Sequence, residues 1–172
     1  QLPASDLAIA ESEYDLGRFY LLMMRNPAKA EPLLAHSLTL RLDQPGPDSL
    51  AVAQSLSQLA RAIQSQGRLD DAHAMLNRVL AIRKAAFGMR NTLVSSALTL
   101  LGSNFMSRED LVGAHALLEQ SIQIKRDILG PRHEDLAGPI ETLGDLELQM
   151  RDLTAAERSG RRVIDILQHS SG

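Results

Sequence analysis

A twelve-residue phrase recurs along this 172-residue chain at intervals of 42. Ala30-Glu-Pro-Leu-Leu-Ala-His-Ser-Leu-Thr-Leu-Arg returns as Ala72-His-Ala-Met-Leu-Asn-Arg-Val-Leu-Ala-Ile-Arg, and again as Ala114-His-Ala-Leu-Leu-Glu-Gln-Ser-Ile-Gln-Ile-Lys. A fainter copy starts at Ala156. The matching positions are apolar: Leu34, Leu76 and Leu118; Leu38, Leu80 and Ile122; Leu40, Ile82 and Ile124. What repeats is therefore a face meant for burial. A fixed period of this length denotes stacked supersecondary units, each covering its apolar side with its neighbours. The chain holds just over four such periods, enough for a continuous core, and repeat arrays present surfaces more readily than closed pockets.

Composition narrows the choice further. Hydrophobic residues make up 44% and charged residues 23%, an ordinary globular balance. With two Tyr, three Phe and no Trp, the core must be built of Leu, Ala and Ile, which suits close-packed helices better than strands. The net charge of −3, with both signs spread along the chain, argues against an electrostatic grip on nucleic acid. Fifteen of the 18 basic residues are Arg, a bias we read as genomic base composition rather than phosphate recognition. Absence of cysteine excludes disulfides and thiolate metal sites and leaves the redox compartment open. The longest apolar run, Phe19 to Met24, is six residues, far short of the roughly 20 of a membrane span. The first residue is Gln1, so we expect a processed or excised fragment, soluble in the cytoplasm or, after removal of a signal peptide, in the periplasm.

Each period reads as two helices parted by breakers. In the second, Asp48 is expected to cap a helix from about Ser49 to Gln66, with Leu56, Leu59, Ala60 and Ile63 on one face. Gly67 suits the left-handed position that stops it, and a second helix runs from about Leu69 to Phe87, before Gly88. In the third, Asn91 caps, Leu98, Leu101, Gly102 and Phe105 form the stripe, and Gly130-Pro131 ends the unit. In the first, Asn26-Pro27 opens the second helix, Pro45, Gly46 and Pro47 close the unit, and one extra residue separates Leu16 from Ala30. The fourth keeps Ile140, Leu143 and Gly144 but has Glu147 and Ser159-Gly160 at apolar columns, as expected of a terminal unit with one side toward solvent. The reading is a single all-α array over 1–172, with repeats near 7–47, 48–89, 90–131 and 132–168.

The pattern resembles the tetratricopeptide repeat. Leu16-Gly17, Leu59-Ala60, Leu101-Gly102 and Leu143-Gly144 match that family's Leu-Gly; Tyr20, Ile63, Phe105 and Glu147 fall at its aromatic position; Ala30, Ala72, Ala114 and Ala156 open its second helix. The 42-residue period and the stretch from Ile124 to Ala137 look like the kinesin light chain-type subfamily, with Glu134 where that subfamily has Pro. The resemblance implies a right-handed α-α superhelix, a solenoid of about four helix-turn-helix repeats, whose first helices line a concave groove for peptides or partner domains. Similar arrays occur in bacterial signalling and scaffold proteins.

On that reading the non-core positions of the first helices are the contact candidates: Glu11, Tyr14 and Arg18; Gln54, Ser57, Gln58, Arg61 and Gln64; Ser96, Thr99, Ser103, Asn104 and Met106; Glu141 and Asp145. Arg and Gln can hydrogen-bond an extended backbone, while Ser and Thr adapt to either polarity. The bland alternative is a set of solvated helix faces. No Lys lies on a first helix, against a Lys-based carboxylate clamp. Arg18 and Arg61 would pair an acidic side chain at one end, Glu141 and Asp145 a basic one at the other.

Catalysis and metal binding find little support. Glu31, His73, His115 and Glu157 share a column, but equivalent positions of stacked repeats lie about 10 Å apart, too far for one ion. His133 reads as a local hydrogen-bonding residue of a turn. The pairs Asp70-Asp71, Glu109-Asp110 and Glu134-Asp135 fall at helix starts, where negative charge suits the dipole. Arg158, Arg161 and Arg162 form a basic patch without aromatics, poor for nucleic acid. There is no phosphate loop, nucleophile elbow or thiol. We expect no enzyme, cofactor or metal, no nucleic acid and no membrane insertion, but a non-enzymatic scaffold binding a protein or peptide. The alternative is an assembly or regulatory segment of a larger signalling or scaffold protein, self-associating through array ends, where Leu21, Leu22, Met23 and Met24 exceed one core stripe.

Overall fold

In a computed structural model, which describes residues 4–43 and 48–170, the chain is built of helical hairpins. The helices are α1 (Ala4–Leu22), α2 (Pro27–Leu42), α3 (Leu50–Gln64), α4 (Leu69–Phe87), α5 (Thr92–Ser107), α6 (Leu111–Leu129), α7 (Ala137–Gln149) and α8 (Leu153–Ser170). A 3-10 turn (Glu134–Leu136) precedes α7. Among the described residues there is no strand, and no helix is long and apolar enough to cross a membrane. The chain forms two compact units, Gln1–Arg83 and Lys84–Gly172.

The capping chemistry is largely that of the sequence. Asn26 accepts from Lys29 N with Pro27 at the first helical position, Asn91 accepts from Leu93 N, and Asp110 accepts from Gly113 N. One cap differs: Ser49, not Asp48, accepts from Val52 N and starts α3, while Asp48 pairs with Arg78 at 3.2 Å. His133 behaves as the turn residue expected of it, its Nδ1 accepting from Asp135 N. Pro45, Gly46 and Pro47, expected to close the first repeat, lie outside the described residues.

Backbone conformation repeats with the same 42-residue period. Arg25, Gly67, Glu109 and Arg151 all sit in the left-handed region, at φ +46°, +84°, +64° and +62°. Each is followed by an amide that closes the hairpin turn: Arg68 N donates to Ile63 O, Asp110 N to Phe105 O and Asp152 N to Glu147 O. In the first repeat the equivalent amide, Asn26 N, reaches six residues back to Tyr20 O, which places the inserted residue in the turn after α1. Only Gly67 adopts this conformation without a Cβ penalty.

Packing is also periodic. In the first unit Leu34 of α2 lies so close to Gly17 of α1 that an added Cβ would meet its Cγ at 2.7 Å; in the second, Leu118 stands 2.8 Å from the same place on Gly102. Leu34, Leu76 and Leu118 are all fully buried. Leu56, Leu59, Ala60 and Ile63 are buried together in the first unit. In the second, Ala114, Leu118 and Ile122 of α6 pack with Leu136, Ile140, Leu143 and Leu146 and with Val163 and Ile166 of α8. The fourth repeat departs in a coordinated way. Glu147, expected to reflect a solvent-facing end, is buried, and Ser159 Oγ donates to its carboxylate at 2.7 Å. The two polar replacements satisfy each other, as buried polar atoms must.

The left-handed turn column gives a stability test. Glu109→Gly should raise the unfolding free energy by about 0.5–1 kcal/mol, because relief of the Cβ contact exceeds the entropy gained by the unfolded chain. Gly67→Ala should lower it by about 1 kcal/mol. Urea unfolding followed by far-UV circular dichroism reads both.

Candidate functional site

In the first unit, α1 and α3 bring two matched pairs of columns, Tyr14 with Ser57 and Arg18 with Arg61, 43 residues apart because of the inserted residue. Tyr14 is half-buried and serves as a platform. The guanidinium of Arg41, from α2, lies 4.7 Å from its ring centroid and that of Arg18 lies 5.5 Å away, both within cation–π range. Arg83, at the end of the unit, donates to Ser57 Oγ at 3.1 Å. Four guanidinium groups thus surround one wall of the unit.

Their environments differ. Arg41, only 7% exposed, fastens α2 to α3: its Nη1 donates to Ala51 O at 2.9 Å and to Ser55 Oγ at 3.0 Å. Burial lowers its pKa from the usual guanidinium value, partly offset by Tyr14, Glu11 and Asp15. Burial lowers Arg83 as well. Arg61 is lowered by burial and then by the like charge of Arg18, and its hydrogen bond is a long one to Gln58 Oε1 at 3.4 Å. Arg18 meets Asp15 at 3.8 Å in solvent. Among the described residues neither Arg41 nor Arg61 has a carboxylate within ion-pair distance. Arg41 and Arg61 thus place partly desolvated positive charge on this wall, and among the described residues no carboxylate reaches either at ion-pair distance.

The other sequence candidates of this unit divide by burial. Glu11 and Gln54 are exposed, and Gln58, Arg61 and Gln64 are half-buried. Ser57 is not a surface residue as expected: it is 2% exposed, donates to Ala53 O and accepts from Arg83.

In the second unit the hydroxyl strip is largely engaged within the protein. Thr99 Oγ1 lies 2.7 Å from Ser121 Oγ, and Ser121 Oγ also donates to Ser95 O, so α5 and α6 are laced together. Ser96 and Ser103 bond the carbonyls four residues back, Thr92 O and Thr99 O, a common habit of helical serines. All three remain half-exposed and keep acceptor capacity. Asn104 was placed on the contact face and is instead fully buried; Met106 packs against the core. Glu141 and Asp145 are exposed and line an open cleft of about 480 Å³ between α7 and α8.

The Glu31, His73, His115 and Glu157 column is engaged elsewhere at its acidic ends, where Glu31 binds Arg68 and Gln66 and Glu157 binds Arg161. Arg41 and Arg83 were not read as site residues. The signal was present, since both close the recurring phrase, at the position that is Lys125 in the third copy. Lys125 has the same fastening role, its Nζ donating to Asp135 O at 2.8 Å.

These environments separate fold from site by experiment. Arg41→Leu should lose about 1–3 kcal/mol, because the Ala51 carbonyl and Ser55 hydroxyl lose their donor inside the protein. Arg61→Leu should leave stability unchanged or raise it, since a desolvated charge facing Arg18 is removed. Equal losses in urea unfolding would make Arg61 a structural residue.

Family models described as tetratricopeptide repeat match residues 7–85 and 94–135. No curated protein matches. Among solved structures, TPR-like repeats of nearly identical sequence assigned to a Podosopora anserina kinesin light chain superimpose with TM-scores of 0.73, for a variant, and 0.69. Each pair is 20% identical and covers 94% of this chain and 76% of the other. BtubC (BKLC) from P. vanneervenii is similar at TM-score 0.68, 20% identity, 96% of this chain and 73% of its own. At such identity these structures speak to the fold alone. The recurring Leu-Gly and Ala columns, the helical hairpins and the two family matches together establish that the chain belongs to the tetratricopeptide repeat family.

Proposed function

We infer that this chain takes part in protein–protein interaction, which tetratricopeptide repeats generally mediate on a fold that is typically non-enzymatic. We propose that this chain is an interaction scaffold receiving a peptide or partner domain on the first-helix faces of its units, and that the first unit takes an acidic segment. The observation that carries this reading is Arg61. Its guanidinium is half-desolvated, lies beside Arg18 and, among the described residues, has only a long neutral hydrogen bond. A protein retains such a charge when something supplies its counterion, and a side-chain carboxylate would bind it bidentately in a fork geometry. Tyr14, held between Arg18 and Arg41, offers a rigid apolar edge beside the same charges. Ser57 and Asn104 are not part of the proposed contact surface; Glu11, Gln54, Gln58 and Gln64 are its further candidates in the first unit, and Ser96, Thr99 and Ser103 of α5 and Glu141 and Asp145 of α7 are the candidates in the second.

A fluorescein-labelled Glu- and Asp-rich peptide tests the reading. It should bind with an affinity that falls as salt rises, and Arg61→Glu should weaken it at least tenfold. Unchanged affinity would remove Arg61 from the contact face.

A second reading, assembly through the leading helix, has its own support. Leu16 is 45% exposed, whereas its column mates Leu59, Leu101 and Leu143 are buried, and Phe19, Met23 and Met24 are exposed beside it. Sedimentation across a dilution series separates the two: a monomer at every concentration rejects assembly, and a dimer abolished by Leu16→Glu supports it.

A further inference from the structure

The cleft between α7 and α8 exists because a recurring side chain is missing. The buried leucine of the second helix, Leu34, Leu76 and Leu118, is Gly160 in the fourth repeat. A Cβ added to Gly102 would meet Leu118 Cγ at 2.8 Å, whereas one added to Gly144 would meet only Ser159 Cβ, at 3.5 Å, and one added to Gly160 nothing within 4 Å. The cleft that Gly144 and Gly160 help to line has a volume of about 480 Å³, within the roughly 300–1,000 Å³ of ligand clefts. Its walls are Ile140, Leu148, Leu153, Ala156 and Val163, and its charged lining residues are Glu141, Asp145 and Glu157. None of the α8 arginines, Arg158, Arg161 or Arg162, lines it, although Arg161 pairs with Glu157 in solvent. These walls are open to solvent, with Leu153 69% and Leu148 54% exposed, and Ile164 of α8, outside the lining, is 56% exposed.

We propose that this cleft is a docking site for a basic amphipathic helix of a partner protein, which supplies the missing leucine-type side chain and sets Lys or Arg residues one turn away against Glu141 and Asp145. Shape decides the first element: a hole where the fold elsewhere places a leucine is matched by an aliphatic side chain entering from outside. Charge decides the second, since three carboxylates and no cation line it. The chain's own leading helix is a poor occupant. α1 carries Asp6, Glu11, Glu13 and Asp15 against Arg18 alone, so a second copy would bring like charge to the rim. The inference rests on the chain being a protein-interaction module, but not on the arginine wall of the first unit.

The probe is a fluorescein-labelled 18-residue amphipathic peptide of Leu, Ala and Lys, with a comparator in which Glu replaces Lys. The Lys peptide should bind with salt-sensitive affinity, and the Glu peptide at least tenfold more weakly. Gly160→Leu, which fills the hole where there is room for it, should weaken the Lys peptide at least tenfold with the circular dichroism spectrum intact. Asp145→Lys should weaken it about tenfold, and Arg61→Glu should leave it unchanged. Failure of the Lys peptide to bind, equal binding of both peptides, or wild-type affinity in Gly160→Leu would each overturn the proposal. Loss of binding in Arg61→Glu would overturn it too, by assigning the peptide to the arginine wall. A self-associating wild type made monomeric by Gly160→Leu would give the cleft to a second copy.

Discussion

A leucine pressed onto a residue with little or no side chain is the contact on which this fold depends. Leu34 on Gly17 and Leu118 on Gly102 are repetitions of one interaction, and the distances agree to a tenth of an ångström. Such an approach brings two helix backbones together and seals the hairpin, and truncating a buried leucine of this kind typically costs about 2–5 kcal/mol. The small residue cannot grow without displacing the knob, and the knob cannot shrink without a void. That mutual requirement explains why both columns recur with the period while the exposed positions drift.

With the hairpins secured, polar groups fasten one to the next within each unit. Arg41 and Lys125 carry out the same task 84 residues apart, donating to the carbonyl of a residue at the opening of the following first helix. The consequence is functional. Arg41 brings a charge beneath the Tyr14 wall for structural reasons, and Arg18 and Arg61 add further charge to the same wall. The two cations differ in their partners among the described residues: backbone carbonyl and serine for Arg41, a distant amide oxygen for Arg61. In the other unit the same architecture, with Gly160 in place of the knob, leaves an acid-rimmed opening instead.

The periodicity made the architecture legible, because burial of a repeated face leaves a repeated apolar pattern. Helix ends were readable at Asn26, Gly67, Asn91 and Gly130, where the chemistry of caps and left-handed turns is local. Asp48 was misread since two adjacent residues can both cap, and only the turn geometry selects Ser49. Site residues were harder. Ser57 and Asn104 stand at the edge of the exposed arc, where one position on the helical wheel decides burial. Arg41 and Arg83 were missed because they lie on second helices and reach across to the wall; their recurrence at the end of the repeated phrase marks the position, while its reach is a tertiary fact. Glu147 and Ser159 looked like unrelated lapses of the pattern and turn out to be partners, since a spacing of 12 residues across a hairpin turn brings them face to face.

The central claim, that a leucine lodged against a small residue governs the hairpins that carry it, is tested most directly by two substitutions of the same kind. Gly102 and Gly160 both lie inside helices of the second unit, one against Leu118 and the other against open space. Urea unfolding of Gly102→Leu should show a loss of at least about 2 kcal/mol from overpacking, while Gly160→Leu should be neutral or stabilised by about 1 kcal/mol from helix propensity. Equal effects at the two positions, or a stable Gly102→Leu, would contradict the account.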